Sequence, residues 1–175
     1  AMANTFIKSK GGNIGKSLFE EDNLDIANHL LKKARDKGIK IYLPEDLNCS
    51  KSITDFDIKT FNAYEIPYDY SSFDIGKKSI NTFKKVILKS KRIIWNGPMG
   101  VFEVNEFSNG TFEICKFVVK ATNEGAFSLV GGGDSVAAVK KNNLENNISF
   151  ISTGGGALLE YIANGTLPSL NLINK

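Results

Sequence analysis

Two stretches of the chain follow one plan. Phe127-Ser128-Leu129-Val130-Gly131-Gly132-Gly133-Asp134-Ser135 and Phe150-Ile151-Ser152-Thr153-Gly154-Gly155-Gly156-Ala157 each run from a short apolar segment through three consecutive glycines into an apolar-periodic segment. A short apolar run bounded by glycine predicts a buried strand, and helical spacing behind it predicts a helix. Three glycines in a row carry no Cβ, so the turn can pack tightly or be approached closely by a ligand. A third turn, Asn96-Gly97-Pro98-Met99-Gly100, follows the apolar run Ile93-Ile94-Trp95. Strand, glycine turn and helix repeated in this order predict a parallel sheet covered on both faces, an α/β fold of Rossmann-like three-layer αβα type. With two close copies the pattern is a βα theme and not a solenoid repeat.

The rest of the chain fits this frame unevenly. Asp22 or Asn23 can cap a helix whose Leu24, Ala27, Leu30, Leu31 and Ala34 recur at helical spacing up to Gly38, a C-terminal stop. A strand is expected over Ile39 to Leu43. Residues 44–75, with Pro44, Pro67 and many Asp, Asn and Ser, read as loop with a short strand around Tyr64 to Ile66. Gly76 opens a helix carrying Ile80, Phe83 and Ile87 on one face, and a further helix holds Phe112, Cys115 and Val119 before Gly125. After the triple glycines, helices are expected from Ser135 and from Ala157 to about Ala163.

Bulk composition narrows the function classes. With 42% hydrophobic and 23% charged residues the chain has apolar material for one core, so one domain, or most of one, is expected. The net charge of +3 comes without a run of like charges, which speaks against a nucleic-acid partner and suits one small anion. No stretch approaches the roughly 18 apolar residues of a membrane span, and the first residues lack the order of a secretory leader. No membrane partner and a cytoplasmic setting are therefore expected. Cys49 and Cys115 have no metal-ligand or CxxC spacing and read as buried free thiols.

In an open parallel sheet, ligands sit outside the C-terminal strand ends, where each turn feeds a helix N-terminus. Backbone N–H groups and the helix dipole there attract phosphate oxygens. Asp134, directly after one glycine turn, would repel a phosphate unless a cation bridges them, and Mg²⁺ is usually held by one or two carboxylates plus phosphate oxygens. The plain alternative is that Asp134 only caps the following helix. Ser135 can contact a phosphate or share the capping role, and Glu103 can accept from ribose hydroxyls or stand solvated. Gly15-Lys16-Ser17 ends like a P-loop, but position 10 is Lys where that motif needs glycine, and the segment follows a helix pattern. His29 has no Ser, Cys or Asp partner pattern and reads as a solvated helix residue. Phosphoryl transfer needs little beyond positioning and charge stabilisation, so the lack of a candidate general base is no obstacle.

The run Trp95-Asn96-Gly97-Pro98-Met99-Gly100-Val101-Phe102-Glu103, followed by Gly131-Gly132-Gly133-Asp134-Ser135 and Ser152-Thr153-Gly154-Gly155-Gly156-Ala157, resembles phosphoglycerate kinase. The opening Ala1-Met2-Ala3-Asn4-Thr5-Phe6, the segment Ile14 to Leu18 and the ending Leu167-Pro168 are similar to that family too, so the resemblance runs through all 175 residues. It implies that residues 1–175 are part of a C-terminal nucleotide-binding domain, incomplete at its N-terminal side, with the N-terminal substrate domain absent. The implied reaction moves a phosphoryl group between 1,3-bisphosphoglycerate and ADP to give 3-phosphoglycerate and ATP, with Mg²⁺, in a glycolytic enzyme that is monomeric when whole.

By the same resemblance Asp134 takes the magnesium nucleotide, with Gly132, Gly133 and Ser135 at the phosphates. Glu103 goes to the ribose, Asn96, Pro98 and Val101 line the nucleotide site, and Leu18 borders the adenine. Gly154, Gly155 and Gly156 face the transferred phosphoryl group. The family's Trp-x-Gly-Leu-Asp pattern is replaced here by Tyr70-Ser71-Ser72-Phe73-Asp74, so Ser72 and Phe73 stand where small and aliphatic residues border the adenine. Two rivals remain at this level: a non-catalytic nucleotide-binding module, and a NAD-binding Rossmann domain, which lacks its G-x-G-x-x-G after a strand.

Overall fold

The computed structural model describes residues 1–167; Pro168 of the family-like ending lies outside the described residues. The chain forms two compact units, one of residues 1–84 and 99–111, the other of residues 85–98 and from 112 onward.

The first unit holds α1 (Met2–Ser9), β1 (Asn13–Ile14), a 3-10 turn (Glu21–Asn23), α2 (Leu24–Asp36), β2 (Asp46–Ser50), β3 (Lys59–Asn62), β4 (Glu65–Ile66), β5 (Ser71–Ile75) and the start of α3 (Lys77–Ile87). α2 obeys its sequence period: Ala27 is buried, Leu24, Leu31 and Ala34 are half-buried, and Gly38 at φ +66° closes it. Leu30, expected on the same face, is exposed.

The strand expected at Ile39 to Leu43 is absent, and Ile39, Ile41 and Tyr42 are exposed there. The loop expected over 44–75 instead contains a three-stranded sheet, with β3, β2 and β5 pairing antiparallel in that order. Polar residues disguised β2. Asp46 binds the start of α3, the Asn48 amide donates to the Ile75 carbonyl at 3.2 Å, and the Thr60 hydroxyl donates to the Asn48 side-chain oxygen at 2.8 Å. A strand can carry such residues inward when each finds a partner. The short strand expected near Tyr64 is β4, which pairs parallel with β1.

The second unit holds the end of α3, β6 (Arg92–Asn96), most of α4 (Asn109–Asn123), β7 (Phe127–Gly131), α5 (Gly133–Lys141), β8 (Phe150–Ser152) and α6 (Gly155–Asn164). β6, β7 and β8 form a parallel sheet in which Ile94, Leu129 and Phe150 stand in register. This is the strand-and-helix alternation that the glycine turns predict. Paired residues share a face, and the face with Ile93, Trp95 and Val130 is buried. On the other face Ile94, Phe127 and Phe150 are 57%, 51% and 56% exposed. Cys49 and Cys115 are free and buried, as expected, and burial pushes their thiols up to about 12 and about 11.

Candidate functional site

The candidate residues fall into two clusters, one in each unit. In the second unit the glycine turns meet at the C-terminal ends of the parallel strands. The first intrahelical N–H of α5 to find a carbonyl is that of Val136, which donates to Gly132 at 3.0 Å; in α6 it is Leu158, donating to Gly154 at 2.9 Å. The N–H groups of Gly133, Asp134 and Ser135, and of Gly155, Gly156 and Ala157, therefore have no intrahelical partner. No side chain caps either helix at its N-cap, Gly132 or Gly154.

The two turns touch. A Cβ on Gly155 would lie 2.4 Å from the Gly132 Cα, and Gly132 itself needs φ +88°. The Asn96 amide lies against both, 3.2 Å from a Cβ on Gly132 and 3.5 Å from one on Gly155. A Cβ on Gly131 would meet the Leu158 side chain at 2.4 Å. Packing thus accounts for Gly131, Gly132 and Gly155. It does not account for Gly133 or Gly156, where an added Cβ would meet nothing within 4 Å.

Asp134 is exposed, and no hydrogen bond or ion pair holds its carboxylate among the described residues. Ser135 is buried, and its hydroxyl accepts the Gly97 N–H at 2.6 Å. The Gly97 carbonyl in turn accepts the Trp95 indole N–H at 2.7 Å, so Gly97 is held through both its N–H and its carbonyl. No group of three or more His, Cys, Asp or Glu able to hold a metal occurs among the described residues. A cation here would need ligand oxygens beside Asp134.

In the first unit, Asn4 gathers two candidates that the sequence leaves far apart: its amide donates to the Leu18 carbonyl at 2.9 Å and to the Ser72 hydroxyl at 3.1 Å. The Ser72 N–H donates to the Ser17 hydroxyl at 2.8 Å. The Leu18 side chain is 80% exposed. The Phe73 ring lies 4.9 Å from that of Phe107, and the Phe73 carbonyl accepts the Val101 N–H at 2.8 Å. Glu103, two residues on, is exposed.

Asn4, Ser17 and Asp74 escaped the sequence reading because their partners are remote in the chain. Gly15 of the false P-loop is explained by packing: a Cβ would lie 2.4 Å from the Pro67 carbonyl and 2.3 Å from that of Tyr70. The strand β1 does precede it, contrary to expectation, but no helix follows directly. A cleft of about 660 Å³ lined by Lys10, Tyr42, Tyr64 and Lys78 among others, and an apolar one of about 250 Å³ at Phe6 and Ile26, contain no candidate site residue.

The family model of phosphoglycerate kinase matches residues 1–165. The phosphoglycerate kinase of Finegoldia magna is 49% identical over 176 aligned residues, covering 100% of this chain and 44% of its own length. That of Porphyromonas gingivalis is 49% identical over 98% of this chain and 41% of its own. Among solved structures, phosphoglycerate kinase from Coxiella burnetii superposes with a TM-score of 0.88 at 40% identity, over 97% of this chain and 43% of that one. The chain thus spans less than half the length of the relatives it matches. With the family model covering nearly every described residue, and with the glycine turns at the strand ends as the resemblance requires, the chain belongs to the phosphoglycerate kinase family.

Proposed function

We propose that this chain is the nucleotide-binding, C-terminal part of a phosphoglycerate kinase. The observation that carries it is the contact between Gly132 and Gly155, which brings two uncapped helix starts together beside the Asn96 amide. Six N–H groups and two helix dipoles there can neutralise phosphate oxygens without a basic side chain. Gly133 and Gly156 are bare where packing would admit a Cβ, which suits close approach of a ligand.

Asp134 fits Mg²⁺ bound together with nucleotide phosphates, since its carboxylate has no competing partner. The metal would supply positive charge to the phosphate oxygens. Ser135 braces the Asn96–Pro98 turn through its hydroxyl and offers its backbone N–H to the phosphates. Gly154, Gly155 and Gly156 offer theirs to the transferred phosphoryl group. Leu18, Ser72 and Phe73 face the adenine, Val101 lines the site, and Glu103 accepts from the ribose.

The whole enzyme, of cytoplasmic glycolysis and monomeric, exchanges the phosphoryl group between 1,3-bisphosphoglycerate and ADP. Catalysis comes from holding two substrates in line, and the sugar acid binds on the N-terminal domain. No described helix is long and apolar enough to cross a membrane. Calorimetric titration with ADP, with and without Mg²⁺, and with NAD as control, tests the reading. MgADP binding without turnover of 1,3-bisphosphoglycerate is expected from the 175-residue chain. NAD binding in preference to MgADP, or full turnover free of host enzyme, overturns it.

A further inference from the structure

Asp74, near the end of β5, is a carboxylic acid only 2% exposed. Its Oδ2 accepts the N–H of Gly110, in the first turn of α4, at 2.7 Å. Its Oδ1 is buried with no hydrogen-bond partner. Two glycines wall that oxygen in: a Cβ on Gly100 would lie 2.5 Å from it, and one on Gly110 2.2 Å. Neither glycine has a positive φ, so packing and not backbone conformation keeps both positions bare: the carboxyl is the nearest obstacle at Gly110, and at Gly100 it shares that role with the Phe73 carbonyl at 2.4 Å. The same turn is anchored next door, where the Val101 N–H reaches the Phe73 carbonyl and the Thr111 hydroxyl accepts the N–H groups of Met99 and Gly100 at 3.0 and 3.3 Å.

We propose that Asp74 is a positioning residue, seating the Gly100–Glu103 turn and the start of α4 in its protonated form and releasing them when it ionises. A neutral acid can lie against two glycine Cα atoms; an anion with one bare oxygen cannot do so without a large desolvation cost. Burial pushes the carboxyl up to about 7, against the opposing pull of the Gly110 and Ile75 backbone N–H groups. No cation faces it. Asn48 lies opposite on β2, the Asp46 carboxylate is bound to the N–H groups of Lys78 and Ser79, and Glu103 and Glu106 are exposed. The consequence for ligand binding rests on the nucleotide reading, because the seated turn carries Val101 and Glu103.

The sign follows from linkage. The closed state holds the proton up to about pH 7, whereas the opened state loses it in the ordinary carboxylate range. Stability of the seated turn is complete at low pH, falls as pH rises towards 7, and is flat above. Hydrogen exchange of the Val101 and Gly110 amides in the 175-residue chain, corrected for intrinsic rates, should therefore show opening about twentyfold more frequent at pH 7.5 than at pH 5.5. In Asp74→Asn, whose side chain stays neutral, the corrected opening should not change with pH. A flat wild-type profile, or an equal slope in the variant, overturns the proposal. Should the variant fail to fold, the ¹³C shift of the wild-type Asp74 carboxyl decides: a midpoint near 7 supports it, and an ordinary carboxylate midpoint overturns it. The preference for ADP over 2′,3′-dideoxy-ADP should fall with pH in the wild type alone. No preference at any pH, with exchange still pH-dependent, overturns the ribose role of Glu103 and leaves the positioning by Asp74 standing.

Discussion

Asp46 lies against the first turn of α3 and Asp134 lies within the first turn of α5, yet their surroundings differ. Asp46 is buried and both its carboxylate oxygens accept from α3, taking the N–H groups of Lys78 and Ser79 at 3.0 and 2.8 Å and the Ser79 hydroxyl at 2.7 Å. Asp134 is exposed on α5 and binds nothing among the described residues. A carboxylate fully satisfied by its own fold is a structural cap contributed by a distant strand. One left unattached beside six free N–H groups is available to a ligand. The same division separates Gly132 and Gly155, which packing requires, from Gly133 and Gly156, which it does not.

The sharpest way to break this contrast is Asp46→Ala, which takes the acceptor from the Lys78 and Ser79 N–H groups at the start of α3 and leaves that of Ser79 buried without it. A loss of about 3 kcal/mol is expected in urea unfolding. A loss under about 0.5 kcal/mol would show that burial misleads here. Next in size, Gly155→Ala should cost about 2 kcal/mol, since its Cβ meets Gly132 backbone that cannot swing aside. Gly133→Val should leave circular dichroism and Tm nearly unchanged while weakening ADP binding. Unfolding of that variant would assign Gly133 to packing instead.

Asp134→Asn should leave stability within about 0.5 kcal/mol of wild type and weaken Mg-nucleotide about tenfold more than metal-free nucleotide, because the lost charge acts through the cation. Equal weakening in both conditions sinks the metal assignment. Glu103→Gln should cost about 1 kcal/mol in ADP affinity and less for the dideoxynucleotide. The same loss for both ligands removes Glu103 from the ribose.

The three glycine turns are legible in the chain itself because their meaning is local: a short apolar run, bare backbone, then a helical period. Their contact at Asn96 is not, since nothing in the spacing of residues 96, 132 and 155 says that the turns touch. The stretch 44–75 misleads for a related reason. Asp46, Asn48 and Ser50 look like loop residues until Ser79, Thr60 and Asp55 supply their partners. The apolar run Ile39 to Leu43 misleads in the opposite sense, having strand composition but no strand to pair with among the described residues.

What the sequence determined alone is the order of helices and the βα rhythm of the second unit, the candidate phosphate turns, and family membership through Trp95 to Glu103. Each depends on periodicity or on residues adjacent in the chain. What only the tertiary structure decided is which polar groups are spent and which are free: Asp46 capping α3 from another strand, Asn4 joining Leu18 to Ser72, and Asp74 left with a bare oxygen between Gly100 and Gly110. Hydrogen bonding and desolvation depend on neighbours in space, and a linear pattern carries no record of neighbours that folding brings from far along the chain.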